Sequence, residues 1–332
     1  MKEATVDVIV TVHNSEKYLT ACLNALASQT YPQVNLIIVD DGSQDHSLEL
    51  INEFKHQTEL PVQVLHNDEG HGVSHARNQG LDAASHDYVT FVDDDDVVMP
   101  DHIQILVAGM DDQGGLSATS YRRTKDIPAT LAEIDNTQVH QAQVTTVKIG
   151  EYILGFNKFQ GYVWNKMFAR SVLEEHQLRF NEHLFMCEDL EFVCRYLMQC
   201  GATSHTVSEN ITYVYRLNEN SMVERRLTAE DVLRKGQNEQ DAYQLITTEM
   251  QAAPALAAKV AQKKVVVTTN LIKALYSTGA NQKAATFYRA LRPLLRKQYW
   301  RVVFGGFVPV KDTVHFIIDT AQNYFNYKGK KK

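Results

Sequence analysis

Four aspartates in succession, Asp93-Asp94-Asp95-Asp96, follow the apolar run Tyr88-Val89-Thr90-Phe91-Val92 and precede Met99-Pro100-Asp101. Charge runs are usually solvated faces. At the end of a buried strand, however, like charges repel one another unless a counter-ion lies among them. Clustered carboxylates suit Mg²⁺ or Mn²⁺, which take oxygen ligands and commonly bridge protein side chains to substrate phosphates. Two more polar clusters end apolar runs in the same manner: Thr11-Val12-His13-Asn14 after Val6 to Val10, and Asp40-Asp41-Gly42-Ser43 after Leu36 to Val39. Gly-x-Gly-x-x-Gly is missing after the first run, and Gly-x-x-x-x-Gly-Lys-Ser/Thr occurs nowhere. A bound nucleotide would therefore need another source of positive charge for its phosphates. A carboxylate-held cation supplies one.

Secondary structure must bring these clusters together. Val6 to Val12 is a short β-branched run that reads as a buried strand. After the N-cap candidates Asn14 and Ser15, Leu19, Cys22, Leu23 and Leu26 recur at helical spacing. The alternation continues with Leu36 to Val39, then Leu48, Ile51 and Phe54, then Val62 to Leu65, Val73 to Ala84 and Tyr88 to Val92. Four strands alternating with helices predict an α/β fold whose central sheet is mainly parallel and covered on both faces. In such sheets ligands bind beyond the carboxyl ends of the strands, where all three polar clusters fall.

Four segments now carry a resemblance. They are Val8-Ile9-Val10-Thr11-Val12-His13-Asn14, Val39-Asp40-Asp41-Gly42-Ser43-Gln44-Asp45, Gly72-Val73-Ser74-His75-Ala76-Arg77-Asn78-Gln79-Gly80 and Phe91-Val92-Asp93-Asp94-Asp95-Asp96. In order and separation they resemble the signature blocks of the family 2 glycosyltransferases with a GT-A fold. The match is strong over about the first 110 residues and looser to about residue 225. It implies a nucleotide-sugar pocket lined by Thr11, His13 and Asn14, with Thr11 where the family more often has Pro and His13 where Tyr or Phe is commoner. It implies that Asp41 contacts the uracil or ribose and that Arg77 reaches the base or diphosphate. Asp93-x-Asp95 matches the family's Asp-x-Asp motif, which puts Asp93 near the ribose and makes Asp95 the ligand of Mn²⁺ or Mg²⁺. Asp94 replaces the frequent Ser, and Asp96 would support the site from behind. Without this context Asp40-Asp41-Gly42-Ser43 is also a good turn, and Arg77-Asn78 fits an exposed helix face.

Further on, Gly161-Tyr162-Val163-Trp164-Asn165-Lys166-Met167-Phe168, Phe180-Asn181-Glu182 and Cys187-Glu188-Asp189-Leu190-Glu191-Phe192 resemble the acceptor side of the same family. The resemblance places the catalytic base at the Glu188-Asp189 pair, with Asp189 as the base. Leu190, Val193, Cys194 and Leu197 have helical spacing, so Asp189 falls in a first turn, where the helix dipole favours a charged carboxylate. Acidic residues also cap helices there. Lys166 either orients the acceptor, pairs with Glu188 or is a surface lysine. Arg216 and Ser221, in Tyr213 to Met222, close over the diphosphate or belong to an edge strand and polar loop. The implied reaction is an inverting transfer of a sugar from a nucleotide-diphosphate donor, expected to be a UDP-sugar, to a hydroxyl of a saccharide or a lipid-linked or cell-surface polymer. Asp189 takes the proton, and the metal at Asp95 stabilises the leaving diphosphate. A single displacement needs no second nucleophilic carboxylate. A non-catalytic scaffold that keeps the sugar-nucleotide fold is the rival reading, and a nucleotidyltransferase would need a basic, Gly-rich first loop that is absent.

Charge divides the 332 residues unevenly. Residues 1–224 hold 14 Lys and Arg against 33 Asp and Glu, and residues 225–332 hold 19 against 7, so a net −19 body adjoins a net +12 end. We divide the chain into a nucleotide-sugar part (1–115), an acceptor part (116–225) and a basic helical C-terminal extension (226–332). Leu116 to Tyr121 reads as a strand, and Arg122 to Gln143, with little periodicity, as a loop or hairpin over the cleft; no role is assigned to 122–147. The extension reads as helical at Val232 to Ile246, Lys259 to Tyr276 and Ala284 to Leu295. Its mixture of cations, Trp300 and Phe304 suits contact with a membrane surface, and a bundle with a solvated basic face or a dimer interface suits it equally. Nucleic-acid binding has only the charge in its favour. The four cysteines show no metal spacing, and no apolar run is long enough to span a bilayer. The expected setting is the cytoplasm, with a peripheral position at the inner face of the membrane as an option.

Overall fold

The protein is described by a computed structural model covering residues 3–111, 113–155, 158–218, 228–304 and 310–329. The β-branched runs form strands β1 (Val6–Val12), β2 (Val34–Asp41), β3 (Val62–Asn67) and β4 (Tyr88–Asp93). Between them lie helices α1 (Leu19–Ala27), α2 (Ser47–Gln57) and α3 (Val73–Ala83). β1 pairs in parallel with both β2 and β4, and β3 joins β2 in parallel. Five consecutive buried residues open β1, as a strand covered on both faces requires.

The chain continues through β5 (Val97–Val98), α4 (His102–Ala108), β6 (Ser117–Thr124), α5 (Ile127–Glu133), β7 (Gln141–Thr145) and α6 (Thr146–Leu154). Then come β8 (Lys166–Ala169), α7 (Arg170–Glu175), α8 (Glu188–Gln199) and the 13-residue β9 (Ser204–Arg216). The sheet runs β3-β2-β1-β4-β8-β6-β9-β5, with β7 also on β9. β8 is antiparallel to β4 and β6, whereas β9 is parallel to β6. The sheet is thus mixed, with its parallel half first in the chain.

Two expectations are corrected. Arg122 to Gln143 is neither a loop nor a hairpin over the cleft: β6 runs on to Thr124, Asp126 caps α5 by accepting from Ala129 N, and Gln141 begins β7, which pairs with β9 and not with β6. The long edge of β9 takes β7 against Ser204–Ser208 and β5 against Tyr213–Val214, so Tyr213 and Val214 lie between β6 and β5 rather than on an edge strand. β7 escaped the periodicity because it is mostly solvent-exposed and carries little apolar signal.

Helices α9 (Ala229–Glu249), α10 (Pro254–Ser277), α11 (Asn281–Phe304) and α12 (Val310–Gly329) follow. Thr228 and Asp231 form a reciprocal capping box at the start of α9. Tyr243, Ile246 and Met250 belong to the same buried cluster as Phe91, Phe168, Phe180 and Phe192, so α9 closes one face of the sheet. Phe180 and Phe192 stack with centroids 4.1 Å apart, and full burial of each such ring contributes about 1.5–3 kcal/mol. Among the described residues no helix is long and apolar enough to cross a membrane.

Candidate active site

The carboxyl ends of β1, β2 and β4 open into a cleft of about 670 Å³, within the size range of small-ligand sites. Thr11, His13, Asp41, Arg77, Asp93, Asp94 and Asp95 line it, together with Gly70 to Ser74 at the start of α3. The three polar clusters therefore meet in one place.

At the tip of β2, Asp41 Oδ1 accepts from His71 N at 3.0 Å and Asn67 Nδ2 at 2.9 Å, and Oδ2 accepts from Gly72 N at 2.7 Å. Burial pushes its pKa up, but these donors outweigh burial and hold it below the usual carboxylate range. The cradle depends on Gly42, at φ +70°: a Cβ there would lie 2.4 Å from the Glu69 carbonyl carbon, so only glycine lets β2 and the loop before α3 approach this closely. His13 Nδ1 bonds to the Asp41 carbonyl at 2.7 Å, and its Nε2 meets Asn14 Nδ2 at 2.9 Å. A ring that donates from Nδ1 and accepts at Nε2 satisfies both contacts. Asn14, at φ 54°, does not line the cleft; it holds His13 and accepts from Gln44 N at 2.7 Å.

The aspartate run is a set of braces. Asp94 Oδ2 accepts from His13 N at 2.9 Å, and fully buried Asp96 accepts from Arg216 N at 2.7 Å. Asp95 Oδ2 accepts from Asn218 Nδ2, and its carbonyl accepts from Arg216 Nε, both at 2.6 Å. Arg216 thus clamps the run, its guanidinium 4.7 Å from the Tyr18 ring centroid. Burial, joined by the neighbouring aspartates, pushes Asp94 up to about 7 and Asp95 up to about 6. Crowded, desolvated carboxylates of this kind suit a cation. Among the described residues no three His, Cys, Asp or Glu side chains form a metal cage. Asp95 with Asp93 beside it instead fits Mg²⁺ or Mn²⁺ in the manner of ions held by one or two carboxylates, whose other ligands are water and substrate phosphates.

Arg77 is 4% exposed and joins the two halves of the site. Nη1 donates to Asp189 Oδ1 at 2.6 Å, Nη2 donates to Asp93 Oδ1 at 3.1 Å, and Glu188 lies 3.5 Å from Nη1. Burial works against the guanidinium charge, but Asp189, Asp93 and Glu188 outweigh it and raise the pKa. Arg77 and Asn78 are buried, not on an exposed helix face. Asp189 sits in the first turn of α8, with Val163 N 3.4 Å from Oδ2. It lies directly behind Arg77 rather than in the cleft wall, its side chain 15% exposed. Burial lifts its pKa to about 7, more than Arg77 lowers it. Cys187, immediately before α8, takes φ 61°, a strained conformation for a non-glycine residue.

Lys166 neither faces an acceptor, pairs with Glu188 nor lies at the surface. It is fully buried, and Nζ donates to the carbonyls of Phe159, Gln160 and Tyr162 and to Asn165 Oδ1 at 2.5–2.8 Å. This ammonium ties down the loop that carries Val163 to Asp189. Lys166→Met is expected to lower unfolding stability by about 3 kcal/mol, because three carbonyls lose their donor. A denaturation midpoint within error of wild type would refute that role. Ser221 lies outside the described residues. The sequence reading passed over Gly70, His71, Tyr215 and Asn218; the glycine pair flanking His71 before α3 was the available signal for the first two.

Residues 7–176 match the family described as Glycosyl transferase family 2. The chain is 30% identical over 233 residues to the putative glycosyltransferase EpsH of Bacillus subtilis, covering 68% of this chain and 64% of that one. It is 36% identical over 107 residues to the poly(ribitol-phosphate) beta-N-acetylglucosaminyltransferase TarS of Staphylococcus aureus, 32% of this chain and 18% of the relative. The chain thus spans less than two thirds of the length of these curated relatives. Among solved structures, S. aureus TarS 1–349 in complex with UDP-GlcNAc superposes with a TM-score of 0.65 at 21% identity, covering 97% of this chain and 89% of that one. A mannosyltransferase from Pyrobaculum calidifontis in complex with GDP-Man and Mn²⁺ gives 0.57 at 15% identity, with 97% and 88% covered. At these identities the two likenesses show a shared fold.

Proposed function

The chain belongs to glycosyl transferase family 2 and has its GT-A fold, and from that premise we propose that it is an inverting transferase acting on a nucleotide-diphosphate sugar. The donor is a UDP-sugar and the acceptor a hydroxyl of a saccharide or a lipid-linked or cell-surface polymer. One observation carries the reading: a single buried guanidinium, Arg77, bonds both Asp93 of the aspartate run and Asp189 of α8. The donor end and a proton acceptor are thereby adjacent. Relatives and neighbours named for N-acetylglucosaminyl transfer, UDP-GlcNAc and GDP-Man with Mn²⁺ support the same class. The division at residues 115 and 225 and a cytoplasmic setting belong to this proposal.

The chain's residues divide the work. Asp41, His13 and Thr11 hold the nucleoside, with the Asp41 carboxylate kept charged by its donors. Asp95, with Asp93, would hold the divalent ion, which supplies positive charge to the departing diphosphate. Asp189 takes the proton from the acceptor hydroxyl as that oxygen attacks the anomeric carbon, the bond to the diphosphate breaks, and the configuration inverts. Arg77 orients Asp189 and screens it from Asp93.

Release of the nucleoside diphosphate from a panel of sugar nucleotides with Mn²⁺ tests the proposal. One donor is expected to be turned over by the wild type, and Asp95→Ala is expected to lower its turnover about 10²-fold or more. Full activity in Asp95→Ala would overturn the site assignment, and no turnover of any donor would favour a binding scaffold.

A further inference from the structure

Helix α11 carries six cations, Lys283, Arg289, Arg292, Arg296, Lys297 and Arg301, and no Asp or Glu. Its buried stripe, which includes Tyr288, Leu291, Leu295 and Val302, packs into the core of the C-terminal helices. At about 100° per residue, the opposite side gathers Arg296, Arg289, Trp300, Phe304, Lys297 and Arg301 in that angular order. The two aromatics therefore sit between two pairs of cations. Trp300 is 65% exposed and Phe304 is 76% exposed, and their rings stack 5.5 Å apart at 7°. Helix α12 touches α11 where Tyr327 meets Tyr288 at 5.0 Å, and it exposes Ile318 and Phe325. Its Asp319 is buried and bonded to Lys273 at 2.8 Å, so that acid does not offset the basic face.

We propose that this face of α11, with the exposed apolar positions of α12, docks on a membrane surface bearing anionic lipid headgroups. The arginines and lysines meet the lipid phosphates, and Trp300 and Phe304 enter the boundary between headgroups and acyl chains. Charge complementarity selects this occupant over a second copy of the chain, because a two-fold contact would set the cations of α11 against themselves. A soluble polyanion would match the charge but leave the stacked aromatics, Ile318 and Phe325 in water. The net −19 of residues 1–224 is repelled by the same surface, so the docked molecule stands with its cleft-bearing body away from the lipid. The proposal does not depend on the transfer reaction.

Co-sedimentation of the full chain tests it, with phosphatidylcholine vesicles alone and with about 30 mol % phosphatidylglycerol, in about 0.1 M and about 1 M salt. Binding is expected only to the anionic vesicles and only at the lower salt. It should bring a blue shift in tryptophan emission, which reports Trp300 because Trp164 is already 2% exposed. The doubles Trp300→Ser with Phe304→Ser and Arg296→Gln with Lys297→Gln should each weaken partitioning about tenfold, with the melting temperature unchanged because all four side chains are exposed. The proposal is overturned by absence of binding, or by binding that neither double alters. Equal retention on soluble heparin without an emission shift overturns it in favour of a polyanion, and self-association abolished by the same doubles without vesicle binding overturns it in favour of a second copy.

Discussion

Asp189→Asn is expected to lower kcat about 10³-fold while leaving the KM for the sugar nucleotide within about twofold, the pattern of a group needed for proton transfer and not for donor binding. Asparagine keeps the shape of the side chain and an acceptor for Arg77, losing only the long contact from Val163 N, so the fold is retained. The same residue sets the pH dependence. Burial pushes Asp189 up to about 7 against the lowering effect of Arg77, and only its carboxylate form accepts a proton. Activity therefore rises with pH through about 7 and flattens above it. A rising limb near 4, or a variant with wild-type turnover, would show that another group receives the proton.

Arg77→Met is expected to cost about 3–5 kcal/mol of unfolding free energy, the scale for removing one partner of a buried ion pair. Its guanidinium faces Asp93, Asp189 and Glu188 from a position 4% exposed, and methionine fills its volume while leaving those carboxylates to repel one another. The charge that lowers Asp189 is lost as well, so in any folded variant the rising limb moves to higher pH. Equilibrium denaturation and a pH profile read the two effects separately. Arg77→Lys keeps the charge without the fork that reaches two acids, and its limb should fall between those of wild type and Arg77→Met. A limb that stays near 7 in Arg77→Met would show that Arg77 does not tune the base.

Where the chemistry depends on neighbours in sequence, the sequence was informative. The run Val6 to Val12, the turn at Asp41-Gly42 and the aspartates after Val92 lie at strand ends that periodicity alone marks, and the cleft joins them. The surface reading of Lys166 and the exposed-face alternative for Arg77 fail for a shared reason: a long cation reads as exposed until its partners are known. Those of Arg77 stand 16 and 112 residues away, and three of those of Lys166 are backbone carbonyls, which no side-chain pattern announces. Segment 122–147 was opaque because α5 is short and β7 is solvent-facing, each leaving a weak periodic signal. Helix α12 was missed beyond the apolar run at Val302 to Val310, where sequence contrast gives no boundary.

The clamp on the aspartates also bears on how the protein is made. Asp93 N donates to Tyr213 Oη, Arg216 holds the Asp95 carbonyl and Asn218 holds its carboxylate, across separations of 120 to 123 residues. The parallel strands β1 to β4 precede all of these contacts in synthesis. A nascent chain can pair that half of the sheet while its acidic loop is still unbraced, and at about 5–20 residues per second the interval lasts several seconds to tens of seconds. The last strand to be added, β9, and the residues just after it therefore fix aspartates made more than a hundred residues earlier, and a ribosome paused before Tyr213 holds a sheet without a finished cleft.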